Sequence, residues 1–221
     1  MKDKLDAAGY AVLPALVQPG DCTELRALFD EDAAFRSTVV MERHGYGHGV
    51  YRYFGNPLPP LVANLRERLY RELAPIANAW AEALADDVRY PSDLPAFLER
   101  CRGHGQARPT PLMLRYRAGD HNALHRDLYG DVAFPLQATV LLDEPGRDFM
   151  GGEFVLVEQR PRKQSLVHVV PLRRGDAVVF PNAVRPVRGS RGFSRTVFRH
   201  GVSEVRAGER LTLGIIFHDA R

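Results

Sequence analysis

Leu112-Met113-Leu114-Arg115-Tyr116-Arg117 follows the breaker Pro109-Thr110-Pro111 and begins a stretch, residues 112–219, of short apolar runs separated by Gly, Pro and Asp. Strands are expected near Leu112–Arg117, Gln137–Asp143, Glu153–Glu158, Leu166–Val170, Asp176–Phe180, Thr196–Val202 and Arg210–His218, where short apolar runs are bounded by turn formers. Many short strands at turn-separated intervals predict a sandwich or barrel and argue against a parallel βαβ sheet.

The half before this stretch has a different texture. Gly9-Tyr10-Ala11-Val12-Leu13-Pro14 reads as a short strand stopped by proline, and Gln18-Pro19-Gly20-Asp21 as a turn in which Asp21 caps a helix over about Cys22 to Asp32. Leu61, Leu65, Leu69, Leu73, Ile76, Trp80 and Leu84 recur every three or four residues, which predicts a long helix kinked or split at Pro75. A further helix is expected at about Leu94 to Arg102, after Pro91-Ser92-Asp93. Between these elements, alternate glycines in His44-Gly45-Tyr46-Gly47-His48-Gly49 exclude a regular helix, so His44 and His48 are not a helical ligand pair. The segment Tyr46–Phe54 reads as a Tyr/Arg-rich flap or as a hairpin packed on the core. With no repeat or linker, the expectation is one α+β domain over residues 1–221, its helical half (1–111) supporting a β core (112–219).

At 221 residues, 45% hydrophobic and 26% charged, the chain has the composition of a globular protein with a sizeable core. No apolar run approaches the roughly 18–20 residues of a membrane span, and the first residues lack a signal-peptide apolar segment. Cys22 and Cys101 are too few for a disulfide framework, so a cytoplasmic location is expected.

The chemistry sits in His125-Arg126-Asp127 and the distant His200-Gly201-Val202. Two histidines and one carboxylate form the facial ligand set of non-haem Fe(II) oxygenases, leaving positions open for other ligands. On an extended segment His125 and Asp127 point to one side, and His200 must arrive from a later strand. His121 has no matching partner, His168 precedes the Gly175 strand on the wrong side, and His218 falls near the end of the last strand.

With Leu114-Arg115-Tyr116-Arg117-Ala118-Gly119, Leu124-His125-Arg126-Asp127, Gly151-Gly152-Glu153-Phe154, Gly175-Asp176-Ala177-Val178-Val179-Phe180-Pro181 and His200-Gly201-Val202-Ser203 followed by Gly208-Glu209-Arg210-Leu211-Thr212, the chain resembles the 2-oxoglutarate/Fe(II) dioxygenase superfamily. The resemblance implies a double-stranded β-helix (jelly-roll) core. It implies Fe(II) held by His125, Asp127 and His200, and 2-oxoglutarate bound through Arg210, Thr212 and Tyr116, with C–H hydroxylation releasing succinate and CO2. Arginine suits the far carboxylate of the keto acid because its fork is bidentate and always charged. Arg206, the competing candidate, falls before Gly208 and is expected on a turn.

Full length, the chain is similar to a bacterial family proposed to act in oxidative repair of alkylated DNA. Between Arg160 and His200, ten basic residues face a single acid, Asp176, an excess of nine positive charges in a chain whose net charge is +3. Such a segment, which includes Arg185, Arg188, Arg191, Arg195 and Arg199, suits an anionic substrate, nucleic acid among them. The alternatives are a solvated basic face, or a grip on a small anionic metabolite, amino acid or peptide side chain; a non-catalytic jelly-roll binding protein is the reading from another class. Leu114 stands where AlkB proteins carry a cosubstrate-binding asparagine, and their late arginine pair is not reproduced at its usual spacing.

Overall fold

The computed structural model describes residues 1–160, 162–190 and 192–221, so Arg191 of the basic segment lies outside the described residues. The helices are α1 (Lys2–Ala8), α2 (Pro19–Leu28), α3 (Pro60–Ala83) and α4 (Leu94–Gly103). The strands are β1 (Ala11–Leu13), β2 (Phe35–Val40), β3 (Gly47–His48), β4 (Val50–Phe54), β5 (Leu112–Arg117), β6 (His121–His125), β7 (Leu136–Leu141) and β8 (Phe149–Gly151). They continue as β9 (Phe154–Gln159), β10 (Leu166–Val170), β11 (Ala177–Pro181), β12 (Val184–Gly189), β13 (Gly192–Val202) and β14 (Val205–Ile215).

All the named strand pairs are antiparallel. The larger sheet runs β1-β11-β7-β14-β5-β4-β2 with β8 beside β14, and the smaller runs β10-β9-β13-β6-β3 with β12 beside β13. The fold is α+β, with helices covering one face of a double-stranded β-helix. Along β14 the parity is plain: Leu211, Leu213 and Ile215 join the core shared with α3, while Arg210, Thr212 and Gly214 line a cavity on the other face. A second core, with Phe154, Leu156, Val178, Phe180, Phe198 and Val205, fills the space between the sheets.

Helix α3 buries Leu65, Leu69, Leu73, Ile76 and Trp80, the face its leucine spacing sets, and each such side chain contributes roughly 1.5–3 kcal/mol. It runs unbroken through Pro75, so the expected split does not occur. Arg66 is buried on the same helix. Its Nε donates to Ile216 O at 3.0 Å and its Nη2 to Phe217 O and Asp219 Oδ1 at 2.9 and 2.7 Å, satisfying carbonyls that β14 leaves at its end. Phe134 lies among Tyr70, Tyr90, Phe97 and Phe217, with ring centroids between 4.9 and 5.7 Å away.

Other expectations shift. Helix α2 begins at Pro19, with Gln18 as its N-cap, and ends at Leu28, because proline is favoured in a first turn. Residues 50–54 are strand β4, paired with both β2 and β5, and Gly47-His48 pair with β6. The segment is packed on the core as the second arm of a β2–β4 hairpin, and even the turn before it is tied down, with Met41 buried in the second core and Tyr46 O accepting from Ala123 N at 2.9 Å. Arg206 is within β14, not on a turn, and its Nη2 lies 3.7 Å from Glu153. Asn182–Arg199, which carries much of the basic segment, is largely the β12–β13 pair. Among the described residues no helix is long and apolar enough to cross a membrane.

Replacing Phe134 with alanine removes the ring at the centre of that aromatic cluster. The expected loss is about 3–5 kcal/mol of unfolding free energy, measured by urea denaturation; a loss under about 1 kcal/mol would contradict this packing.

Candidate active site

A cavity of about 550 Å³ opens between the sheets, and its walls include His125, Asp127, His200, Tyr116, Arg210 and Thr212. The structure therefore brings together every site residue expected from the sequence. His125 ends β6 and faces His200 across the β6–β13 ladder, their rings 4.1 Å apart. Asp127 lies in the loop beyond β6 and not on an extended strand with His125. Its Oδ2 is 3.2 Å from His200 Nε2 and its Oδ1 is 3.6 Å from His125 Nε2. The ligating atoms of the three residues all fall within 4.8 Å of one another.

Backbone contacts make this convergence possible. A Cβ on Gly201 would sit 2.6 Å from Asn122 O, so only glycine lets β13 approach β6 this closely. His125 Nδ1 lies 2.8 Å from Ala123 O, which leaves Nε2 for the cavity. The loop after Asp127 is tied down by Gln106, a fully buried amide that the sequence gives no reason to single out. Its Nε2 donates to the carbonyls of Tyr129, Val132 and Asp219, and its Oε1 accepts from Val132 N. Gly130, at φ +108°, passes over that amide.

Burial raises the Asp127 carboxyl, but the hydrogen bond and charge of His200, the charge of His125 and the hydroxyl of Tyr129 outweigh it. The group is held ionised, well below the usual carboxylate range. Burial and then His125 lower His200 against the pull of Asp127, favouring the neutral imidazole that a metal ligand needs. Tyr129 donates to Asp127 Oδ1 at 2.7 Å, and burial together with that charge keeps its phenol protonated.

Arg210 is 1% exposed, with its guanidinium carbon 5.7 Å from the centroid of Tyr116, its register partner on β5. Its Nε and Nη1 have no hydrogen-bond partner among the described residues, and burial lowers its pKa to about 10. A charged donor of this kind, dry and facing a cavity, is built to meet an anion. Gly152 leaves it room, because a Cβ there would meet Arg210 Cδ at 2.9 Å. Tyr116 hydroxyl accepts from Asn122 Nδ2 at 3.1 Å; Asn122 and Gln137, whose buried Nε2 has no partner among the described residues, line the same cavity and carry no sequence signal.

Of the histidines set aside, His168 packs edge-on against Tyr10 and His218 Nδ1 accepts from Phe134 N, so neither reaches the cavity. His48 groups with Glu42 and Asp120 at the surface, where Asp120 Oδ2 already accepts from Arg117 N.

A family model described as "Oxygenase, catalysing oxidative methylation of damaged DNA" matches residues 49–220. A Mycobacterium tuberculosis protein that carries only the name uncharacterized is 47% identical over 167 residues, spanning 76% of this chain and 72% of its own. A Pseudomonas putida prolyl-4-hydroxylase superposes with a TM-score of 0.55 at 15% identity, covering 100% of this chain and 97% of that one. A 2OG-Fe(II) oxygenase family oxidoreductase from Burkholderia pseudomallei gives 0.55 at 18% identity, covering 99% and 88%. These structural likenesses speak for the fold.

Gly201→Ala is expected to push β6 from β13 and part the two histidines. It should lower the midpoint of thermal unfolding by several degrees and weaken Co(II) binding at least tenfold; an unchanged Co(II) titration would refute the close-approach argument.

Proposed function

The chain belongs to the oxygenase family described as catalysing oxidative methylation of damaged DNA, and we propose that it works as an Fe(II)- and 2-oxoglutarate-dependent dioxygenase that oxidises an alkyl C–H bond on nucleic acid. The observation that carries the reading is the meeting of His125, Asp127 and His200 in the cavity that also holds the buried Arg210, whose Nε and Nη1 have no partner among the described residues.

The residues fit both groups. Two imidazoles and one ionised carboxylate on one side of a cavity match the facial ligand set of Fe(II), with His125, Asp127 and His200 as its ligands. Arg210 would grip the far carboxylate of 2-oxoglutarate, with Thr212 on the same face of β14 and Tyr116 opposite in register as further cosubstrate contacts. Iron and 2-oxoglutarate together supply oxygen activation coupled to decarboxylation, giving succinate, CO2 and a hydroxylated carbon. The chain's own share is placement: it holds Asp127 ionised, eases the loss of the His200 proton, and walls the cavity with Leu112, Leu114 and Phe154 to limit water.

For the substrate, the basic segment contributes less than its sequence suggests. Arg185 is buried and pairs with Glu158 at 3.2 Å, Arg195 pairs with Asp86, and Arg174 donates to Pro19 O and Thr23. Arg173, Arg188 and Arg199 remain exposed. At the cavity itself are Tyr46, half exposed, and Arg126, exposed with no ion pair among the described residues. An aromatic ring and an exposed guanidinium lining one cavity suit a base with its phosphate, the contacts an extruded base would use. The likeness to a prolyl-4-hydroxylase makes a peptide side chain the second reading, and a small anionic metabolite remains the third.

His125→Ala, Asp127→Ala and His200→Ala should each abolish succinate release under Fe(II) and 2-oxoglutarate, and turnover within tenfold of the parent protein in any of them would sink the metal assignment. Arg210→Ala should raise the KM for 2-oxoglutarate at least tenfold, with Arg210→Lys recovering only part. A panel of methylated oligonucleotides, peptides and amino acids, with a salt titration of DNA binding, separates the substrates: a steep log–log slope supports nucleic acid, and no binding at low salt removes it.

A further inference from the structure

Asp127 has two carboxylate oxygens, and the structure treats them differently. Oδ2 lies 3.2 Å from His200 Nε2 and Oδ1 3.6 Å from His125 Nε2, so both stand near the imidazoles and it is their other hydrogen bonds that distinguish them. Oδ1 accepts a hydrogen bond of 2.7 Å from the Tyr129 hydroxyl, and that hydroxyl in turn accepts from Tyr53 Oη at 3.1 Å. Tyr53 stands on β4, in the larger sheet, and is itself held: the guanidinium of Arg36 lies 4.6 Å from its ring centroid, and Arg36 Nε donates to Pro109 O at 3.0 Å. The Tyr129 carbonyl is fixed independently by Gln106 Nε2 at 3.0 Å. Both phenols line the cavity, yet neither belongs to the ligand set or to the expected cosubstrate contacts.

We propose that Tyr129 is a positioning residue that makes Asp127 a one-oxygen metal donor, occupying Oδ1 so that only Oδ2 turns to the metal, with Tyr53 holding Tyr129 in place. The inference rests on the assignment of His125, Asp127 and His200 as ligands. Its chemical consequence is a matter of coordination number. A carboxylate free to close through both oxygens takes a second position, whereas one tethered through Oδ1 takes one and keeps the others open to cosubstrate and oxygen. Hydrogen bonds of this kind to ligating groups commonly govern metal affinity by about 10–100-fold. Because the backbone of residue 129 is pinned through Gln106, removing the hydroxyl alone isolates its effect on Asp127.

The test uses the full chain freed of metal and titrated with Co(II), whose visible absorption reports coordination number, in Tyr129→Phe, Tyr53→Phe and the double variant. Tyr129→Phe should weaken Co(II) binding about 10–100-fold and shift the band intensity toward higher coordination. Its thermal unfolding without metal should stay within a few degrees of the parent protein. Tyr53→Phe should weaken binding several-fold, and the double variant should match Tyr129→Phe alone, because the outer hydroxyl acts only through the inner one. A Tyr129→Phe protein with Co(II) affinity within twofold of the parent and an unchanged spectrum overturns the proposal. Additive effects of the two substitutions overturn it as well, and should Tyr129→Phe fail to fold, an unaltered Tyr53→Phe titration does the same. His125→Ala separates the two levels of inference: if it too leaves Co(II) binding unchanged, the ligand assignment itself fails.

Discussion

The register between β6 and β13 is the constraint on which the site depends. Antiparallel pairing sets His125 opposite His200, two residues seventy-five positions apart, and the absent side chain of Gly201 lets the two backbones close to contact. A slip of one residue in that ladder would turn one imidazole out of the cavity, since successive side chains alternate faces. Asp127 then needs only a short excursion beyond β6 to complete the group. The position of that excursion is set by Gln106, whose single amide ties residues 129 and 132 to Asp219 at the far end of the chain.

Strand β14 does two kinds of work with one stretch of backbone. Its odd-numbered residues Leu211, Leu213 and Ile215 meet the helical layer, and its even-numbered residues Arg210, Thr212 and Gly214 meet the cavity. Packing of α3 therefore bears on the cavity wall directly, because the strand that carries Arg210 is the one that Arg66 anchors from behind. Chemistry and stability are here two faces of the same strand.

What was legible in the sequence followed from regularity. The leucine spacing of α3, the runs that became β5, β7, β9, β10 and β11, and the ordered landmarks around His125, His200 and Arg210 all repeat a simple rule of period or spacing. The short β6 and β8 have no such rule. Strand β2, Phe-Arg-Ser-Thr-Val-Val, alternates too weakly to stand out, and β4 hid among glycines. Arg185 shows the limit most clearly. As a letter it counts toward a basic segment, but in the fold it is buried against Glu158, a partner twenty-seven residues away that no local window includes. Gln106, Asn122, Tyr53 and Tyr129 escaped for the same reason: their importance lies in contacts made by the folded chain, and ordinary polar residues in loops or strands carry no pattern of their own.

Arg210 also bears on the stability of the fold. A guanidinium enclosed by Tyr116 and Phe149, with two of its nitrogens unmatched among the described residues, leaves the folded state open to stabilisation by negative charge. Any dicarboxylate that settles there lends its binding free energy to the native ensemble. The same guanidinium that shapes the cavity thus makes the stability of the fold responsive to any anion of matching shape.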